Sequence, residues 1–112
     1  MFQRMPDFNR VLLIGNLTRQ PDCRYTDAGR AVGGFGLALH RFYHTPDGEE
    51  HEENCFVEVE IVGELAEKVR EEIDKGDLVY VEGRLRLARW RQKRTGKERR
   101  RLKVTVYEIQ AL

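Results

Sequence analysis

The run Val11-Leu12-Leu13-Ile14, closed by Gly15-Asn16, is too apolar for a strand with one face in water. It predicts a strand over 9–17 that is covered on both sides. In so small a chain, covering both faces implies a second subunit. Gln20-Pro21-Asp22 and Thr26-Asp27-Ala28-Gly29 are turn signals, and the second suits a hairpin tip because glycine tolerates positive φ. A second strand, 31–43, sets Phe35, Leu37 and Leu39 against small residues. Its Gly33, Gly34 and Gly36 point to coiling or close backbone approach, as at a barrel corner. Continued past Leu39, the alternation puts Tyr43 on the core face and Phe42 on the open one. A bulge would exchange them, and periodicity leaves both arrangements open.

Thr45-Pro46-Asp47-Gly48 is the next turn. A third strand, 54–62, alternates Cys55, Val57, Val59 and Ile61 on one face with Phe56, Glu58, Glu60 and Val62 on the other. From 64 to 75 the apolar residues Leu65, Ala66, Val69 and Ile73 follow a helical stripe, with Gly76 as the expected C-terminal cap. A fourth strand, 78–91, places Val79, Val81, Leu85 and Leu87 inward, and Tyr80, Glu82, Arg84, Arg86 and Trp90 outward. Arg94-Thr95-Gly96-Lys97 forms a basic tip before a last strand, 99–110, through Leu102, Val104 and Val106. Five strands with one short helix between the third and fourth is the order of the all-β OB-fold, a five-stranded Greek-key barrel. The 112 residues suit one domain, 1–112, with no second core. Fold order by itself says little about function.

Net charge alters the picture only when it is placed along the chain. The formal total of +1 argues against a polyanionic partner. Yet 47–77 carries thirteen acids against Lys68, Arg70 and Lys75, while 84–103 carries eleven bases against Glu98 alone. Two opposed blocks point to nucleic-acid or partner binding, against the plainer reading of solvated faces. No apolar run approaches the ~20 residues that span a bilayer, and no secretory leader precedes the first strand, so a cytosolic protein without membrane contact is expected.

Catalysis finds little support. No phosphate-cradling G-x-x-x-x-G-K-[ST] occurs. His40 and His44, four apart on a strand, lie about 13 Å apart and suit no shared metal. Carboxylates abound on the third strand and helix without a positioned partner. Cys23 and Cys55 have no zinc or disulfide spacing, so reduced, half-buried thiols are expected. No enzyme activity, metal or cofactor is therefore expected. Phe56 and Trp90 tell more, since each falls on the polar face of its strand. Beside Arg84, Arg86, Arg89 and Arg91, Trp90 has the makings of a base-stacking platform on a positive track. Packing under a loop or against another subunit is the alternative for both rings.

The spaced motifs Asn9-Arg10-Val11-Leu12-Leu13-Ile14-Gly15-Asn16-Leu17, Arg24-Tyr25-Thr26, Leu65-Ala66-Glu67, Lys75-Gly76, Val79-Tyr80-Val81-Glu82-Gly83 and Leu85-Arg86 with Trp90 resemble the bacterial single-stranded-DNA-binding protein family along essentially the whole chain. The resemblance implies an OB-fold that sequesters single-stranded DNA in replication, recombination and repair. It implies no catalysis or cofactor, a cytoplasmic, nucleoid-associated place, and homo-oligomers, tetramers or dimers, joined through the first strand. It also implies stacking aromatics at Tyr43, Phe56 and Trp90, and backbone-contacting bases at Arg24, Lys75, Arg86, Arg89 and Arg99. Choosing Tyr43 over Phe42 implies a bulge after Leu39.

Departures from the family pattern bear on the DNA path. Val62 stands where an aromatic is common, Glu64 where a base is usual, and Glu58 and Glu60 put negative charge beside Phe56. The chain stops at Leu112 without the acidic tip by which the family recruits replication and repair proteins. A binding module for single-stranded DNA is the leading expectation. An OB-fold assembly or adaptor module, joined by complementary charge between subunits, is the alternative from another class. A replication-restart or RNA-binding role on the same fold is a narrower one.

Overall fold

A computed structural model describes residues 7–112. In chain order the elements are β1 (Val11–Leu17), β2 (Asp22–Tyr25), β3 (Ala31–His44), β4 (Glu50–Val62), α1 (Glu64–Glu72), β5 (Leu78–Arg91) and β6 (Glu98–Ala111). They form one sheet in the order β1-β5-β6-β4-β3-β2, and β1 also pairs with β3, which closes five strands into the expected OB-type barrel. The sixth strand, β2, continues the edge that β1 begins. The pairs Asn16↔Ala38 and Leu17↔Leu37 are followed along β3 by Asp22↔Gly34 through Tyr25↔Ala31. The break between them contains Pro21, which has no N–H to give a ladder.

Alternation along β3 and β4 is reproduced as burial. Phe35, Leu37, Val59, Ile61, Val79, Val81 and Val104 are fully buried, and Ala66, Val69 and Ile73 from the helical stripe complete the same core. The helix is tied to β2 by the Tyr25 hydroxyl, which donates to Glu67 at 2.7 Å. That bond raises the phenol above its ordinary pKa, because losing its proton would leave two negative oxygens in contact. Close approach explains the glycines of β3. A Cβ at Gly33 would lie 2.1 Å from the Asp22 carbonyl oxygen, and one at Gly36 would lie 2.2 Å from Thr18 Oγ1.

Three local expectations are corrected. The β3–β4 register is unbroken from Val32↔Val62 to His44↔Glu50, so no bulge follows Leu39. Phe42 accordingly shares the face of Ala38 and Phe56, and Tyr43 that of Leu39. The irregularity lies instead between β5 and β6: Glu82↔Glu108 is followed by Gly83↔Val106, leaving Tyr107 as the extra residue. The helix ends at Glu72, not at 75. Ile73 is already extended (φ −122, ψ 134), and the Asp77 carboxylate takes the Asp74 N–H at 2.9 Å. Gly76 is thus no helix cap; its φ of 91° serves the turn into β5.

β4 and β6 pair in parallel only at Val59↔Val104 and Glu60↔Thr105. Beyond that contact the β3–β4 and β5–β6 hairpins part as two arms. The radius of gyration is 17.2 Å, against about 13 Å for a compact domain of this length. Leu85 and Leu87, expected inside, are 44% and 41% exposed, and both lie beyond Gly83, the last β5 residue that pairs with β1. Both cysteines are free, Cys23 half-buried as expected but Cys55 exposed on the β4 arm. Among the described residues no helix is long and apolar enough to cross a membrane.

Candidate nucleic-acid interface

Directly paired residues of antiparallel strands share a face. The pairs Arg86↔Lys103, Ala88↔Arg101 and Trp90↔Arg99 therefore set one tryptophan and four cations on a single face of the β5–β6 arm. Trp90 is 43% exposed, and Ala88, the preceding residue on its face of β5, is buried. The tip is held by backbone bonds, Gln92 N–H to Lys97 O at 2.9 Å and Gly96 N–H to Gln92 O at 2.8 Å. Arg91 Nη1 donates to Gly96 O at 2.7 Å, and Arg99 Nε to Gln92 Oε1 at 3.1 Å, which fixes the guanidinium opposite Trp90. Arg89, paired with Arg100, lies on the arm's opposite face.

The β4 side of the barrel adjoins this track through Glu60↔Thr105. Phe56 is 70% exposed there, at the rim of an open groove of about 380 Å³ lined by Thr18, Arg19, Gly36, Glu58, Arg101 and Leu102. The groove is thus walled by both arms, with an aromatic ring on one side and a guanidinium-bearing strand on the other.

Neither acid that darkened this face in the sequence stands alone. Arg19 Nη1 and Nη2 donate to the two Glu58 oxygens at 3.0 and 2.5 Å. Arg86 Nε and Nη2 donate to the two Glu60 oxygens, both at 2.9 Å, and Thr105 Oγ1 adds a third bond at 3.4 Å. Hydrogen bonding to Glu58 raises the Arg19 pKa further. Glu64, the other unexpected acid, sits in the first turn of α1, where negative charge complements the helix dipole.

The remaining sequence candidates scatter. Arg24 is exposed on β2 beside a small recess with Lys103, Glu58 and Glu60. Lys75 lies in the α1–β5 turn, its backbone N–H bonded to Gln20 Oε1 at 3.1 Å, at the opposite end of β5 from Trp90. Tyr43 is half-buried, stacked on His51 with ring centroids 5.4 Å apart and with the Arg41 guanidinium 4.9 Å from its ring centre. Phe42, 64% exposed, takes the face that Phe56 occupies. Three cations at the groove and track were not singled out from the sequence. Arg101 and Lys103 share the parity of Arg99 and were there to be read. Arg19 reaches Glu58 across 39 positions, and no local pattern marks such a pair.

The chain matches the model of the Single-strand binding protein family over residues 8–112. It is 38% identical over 105 residues to a single-stranded DNA-binding protein of Helicobacter hepaticus, covering 94% of this chain and 61% of that one. The corresponding protein of Wolinella succinogenes is 37% identical over 105 residues, covering 94% and 64%. The chain thus spans about three fifths of the length of these curated relatives. Among solved structures, a deletion mutant of the single-stranded DNA binding protein from Thermus aquaticus superposes with a TM-score of 0.81 at 34% identity, covering 94% of this chain and 50% of that one. Plasmodium falciparum SSB in complex with ssDNA superposes with a TM-score of 0.85 at 20% identity, covering 98% and 99%, a likeness of fold. Barrel, helix position and sequence agree along 8–112, and the chain belongs to the single-strand binding protein family.

Proposed function

We propose that this chain binds single-stranded DNA without catalysing a reaction and largely without regard to sequence, in the cytoplasm and on the nucleoid, during replication, recombination and repair. The observation that carries the reading is the outward Trp90 with Arg99, Arg101 and Lys103 on its own face. A base stacked on an aromatic ring contributes about 1–3 kcal/mol whatever its identity, and the cations meet the backbone. Phe56 supplies a second platform across the groove. Arg24 flanks it, Arg86 is held by Glu60, and Arg89, Lys75 and Tyr43 extend the candidate set to other faces. The relatives' names and the family match support the same reading.

The test is a titration with oligo-dT at two salt concentrations, read by the fluorescence of Trp90, the only tryptophan. Quenching and a log–log salt slope of about −0.7 for each phosphate neutralised are expected. Replacing Trp90→Ala is expected to weaken binding by about 5- to 150-fold, the loss of one stacked base. Absence of both quenching and salt dependence would overturn the reading.

One observation favours a second reading, an assembly module: the two arms diverge and carry opposite charge, Asp47, Glu49, Glu50, Glu52 and Glu53 on one and the arginine-rich tip on the other. Mass measured beside the titration separates them. Oligomers that dissociate with salt in the absence of DNA, without oligo-dT binding, would favour assembly as the main role.

A further inference from the structure

Glu58 and Glu60 lie on the same outward face as Phe56, where a DNA strand crossing between the arms would pass. Each is gripped two-pronged by an arginine, with all four bonds between 2.5 and 3.0 Å. That planar fork is the geometry in which arginine takes a phosphate. Here the two prongs of each fork are filled by the chain's own carboxylate. The acids are only 22% and 19% exposed, so a phosphate arriving at either arginine would have to leave a poorly solvated carboxylate without its cation, facing a like charge. Arg99, Arg101 and Lys103 pair with no carboxylate among the described residues.

We propose that Glu58 and Glu60 act as resident phosphate substitutes, which keep Arg19 and Arg86 off the DNA backbone and confine that backbone to the Arg99, Arg101 and Lys103 side of the groove. The inference rests on the single-stranded DNA reading and deepens it. Bases reach over the groove to Phe56, while the phosphates stay on the β5–β6 arm. The two acids thereby set both the route and the number of phosphates neutralised.

Oligo-dT titrations across a salt series test this on the chain, Glu60→Gln, and the double variant Glu60→Gln with Arg86→Gln. Glutamine keeps the shape of the acid and removes its charge, so the single variant frees one guanidinium. Its salt slope is expected to steepen by about 0.7, so that the affinity lost between 50 and 200 mM salt grows by about 2.5-fold. The double variant is expected to lose that gain. An unchanged slope in the single variant, or a gain that persists without Arg86, would overturn the proposal, the latter by showing simple removal of repulsion. Glu58→Gln, which frees Arg19, is the independent second variant should thermal melts show Glu60→Gln unfolded. Failure of the unsubstituted chain to bind oligo-dT would instead overturn the functional reading.

Discussion

Gly83 shows how one missing methyl group holds the barrel's geometry. A Cβ there would stand 2.1 Å from the Thr105 carbonyl oxygen and 3.2 Å from Val104 Cγ1. Gly83 is also where β6 carries its extra residue, so the close approach and the change of register are one feature. Thr105 is in turn the β6 residue that pairs with Glu60 and bonds its carboxylate. Gly83→Ala must therefore push backbone against backbone. It is expected to cost about 1–3 kcal/mol, seen as a lower urea midpoint at unchanged slope. An unchanged midpoint would mean that the strands can part there freely. Its neighbours on β5 and β6 differ in kind, since Arg86 and Lys103 face outward and carry charge rather than packing.

At the scale of elements, the β5–β6 arm is where sequence was most informative. Period-two alternation is local, so the outward phase of Trp90 and Arg86 and the turn at Arg94–Lys97 follow from neighbouring residues alone. The same alternation correctly separated Phe42 from Tyr43, and only the added assumption of a bulge reversed them. What could not be read depends on partners far away in the chain. The split between β1 and β2, the extra Tyr107 and the Arg19–Glu58 bond each arise from pairing with a remote strand. Leu85 and Leu87 look like core from their own strand, because their exposure depends on where the remote strand β1 stops pairing with β5. Arg94, exposed at the arm's tip, offers a test of the element by itself. Arg94→Ala touches no packed residue, so its stability in urea is expected to stay within about 0.5 kcal/mol. If the tip meets the backbone, the salt slope for oligo-dT becomes shallower by about 0.7. A slope that does not move would place the tip outside the DNA path.

At the scale of the whole molecule, the outward side of β1 is an apolar surface that the barrel does not explain. Val11 and Leu13 pack against the core, whereas Leu12 and Ile14 point away from it and are 56% and 57% exposed. Across the pairing with β5 they stand over Glu82 and Tyr80, and Arg10 pairs with Glu82 at the edge of the patch. An apolar centre with a charged border suits a surface that is covered in solution, and we propose a second copy of the chain as its cover, which would account for the twice-apolar run of β1. Position 14 separates interface from fold. Because Ile14 makes no core contact, Ile14→Glu is expected to leave the far-UV circular dichroism of the chain unchanged while lowering its mass in solution toward that of one chain. Leu13→Glu, by contrast, would place a charge against the core and lose both. An unsubstituted chain that is already monomeric, or an Ile14→Glu variant of unaltered mass, would show that β1 is not the contact and that its outward residues are simply tolerated in water.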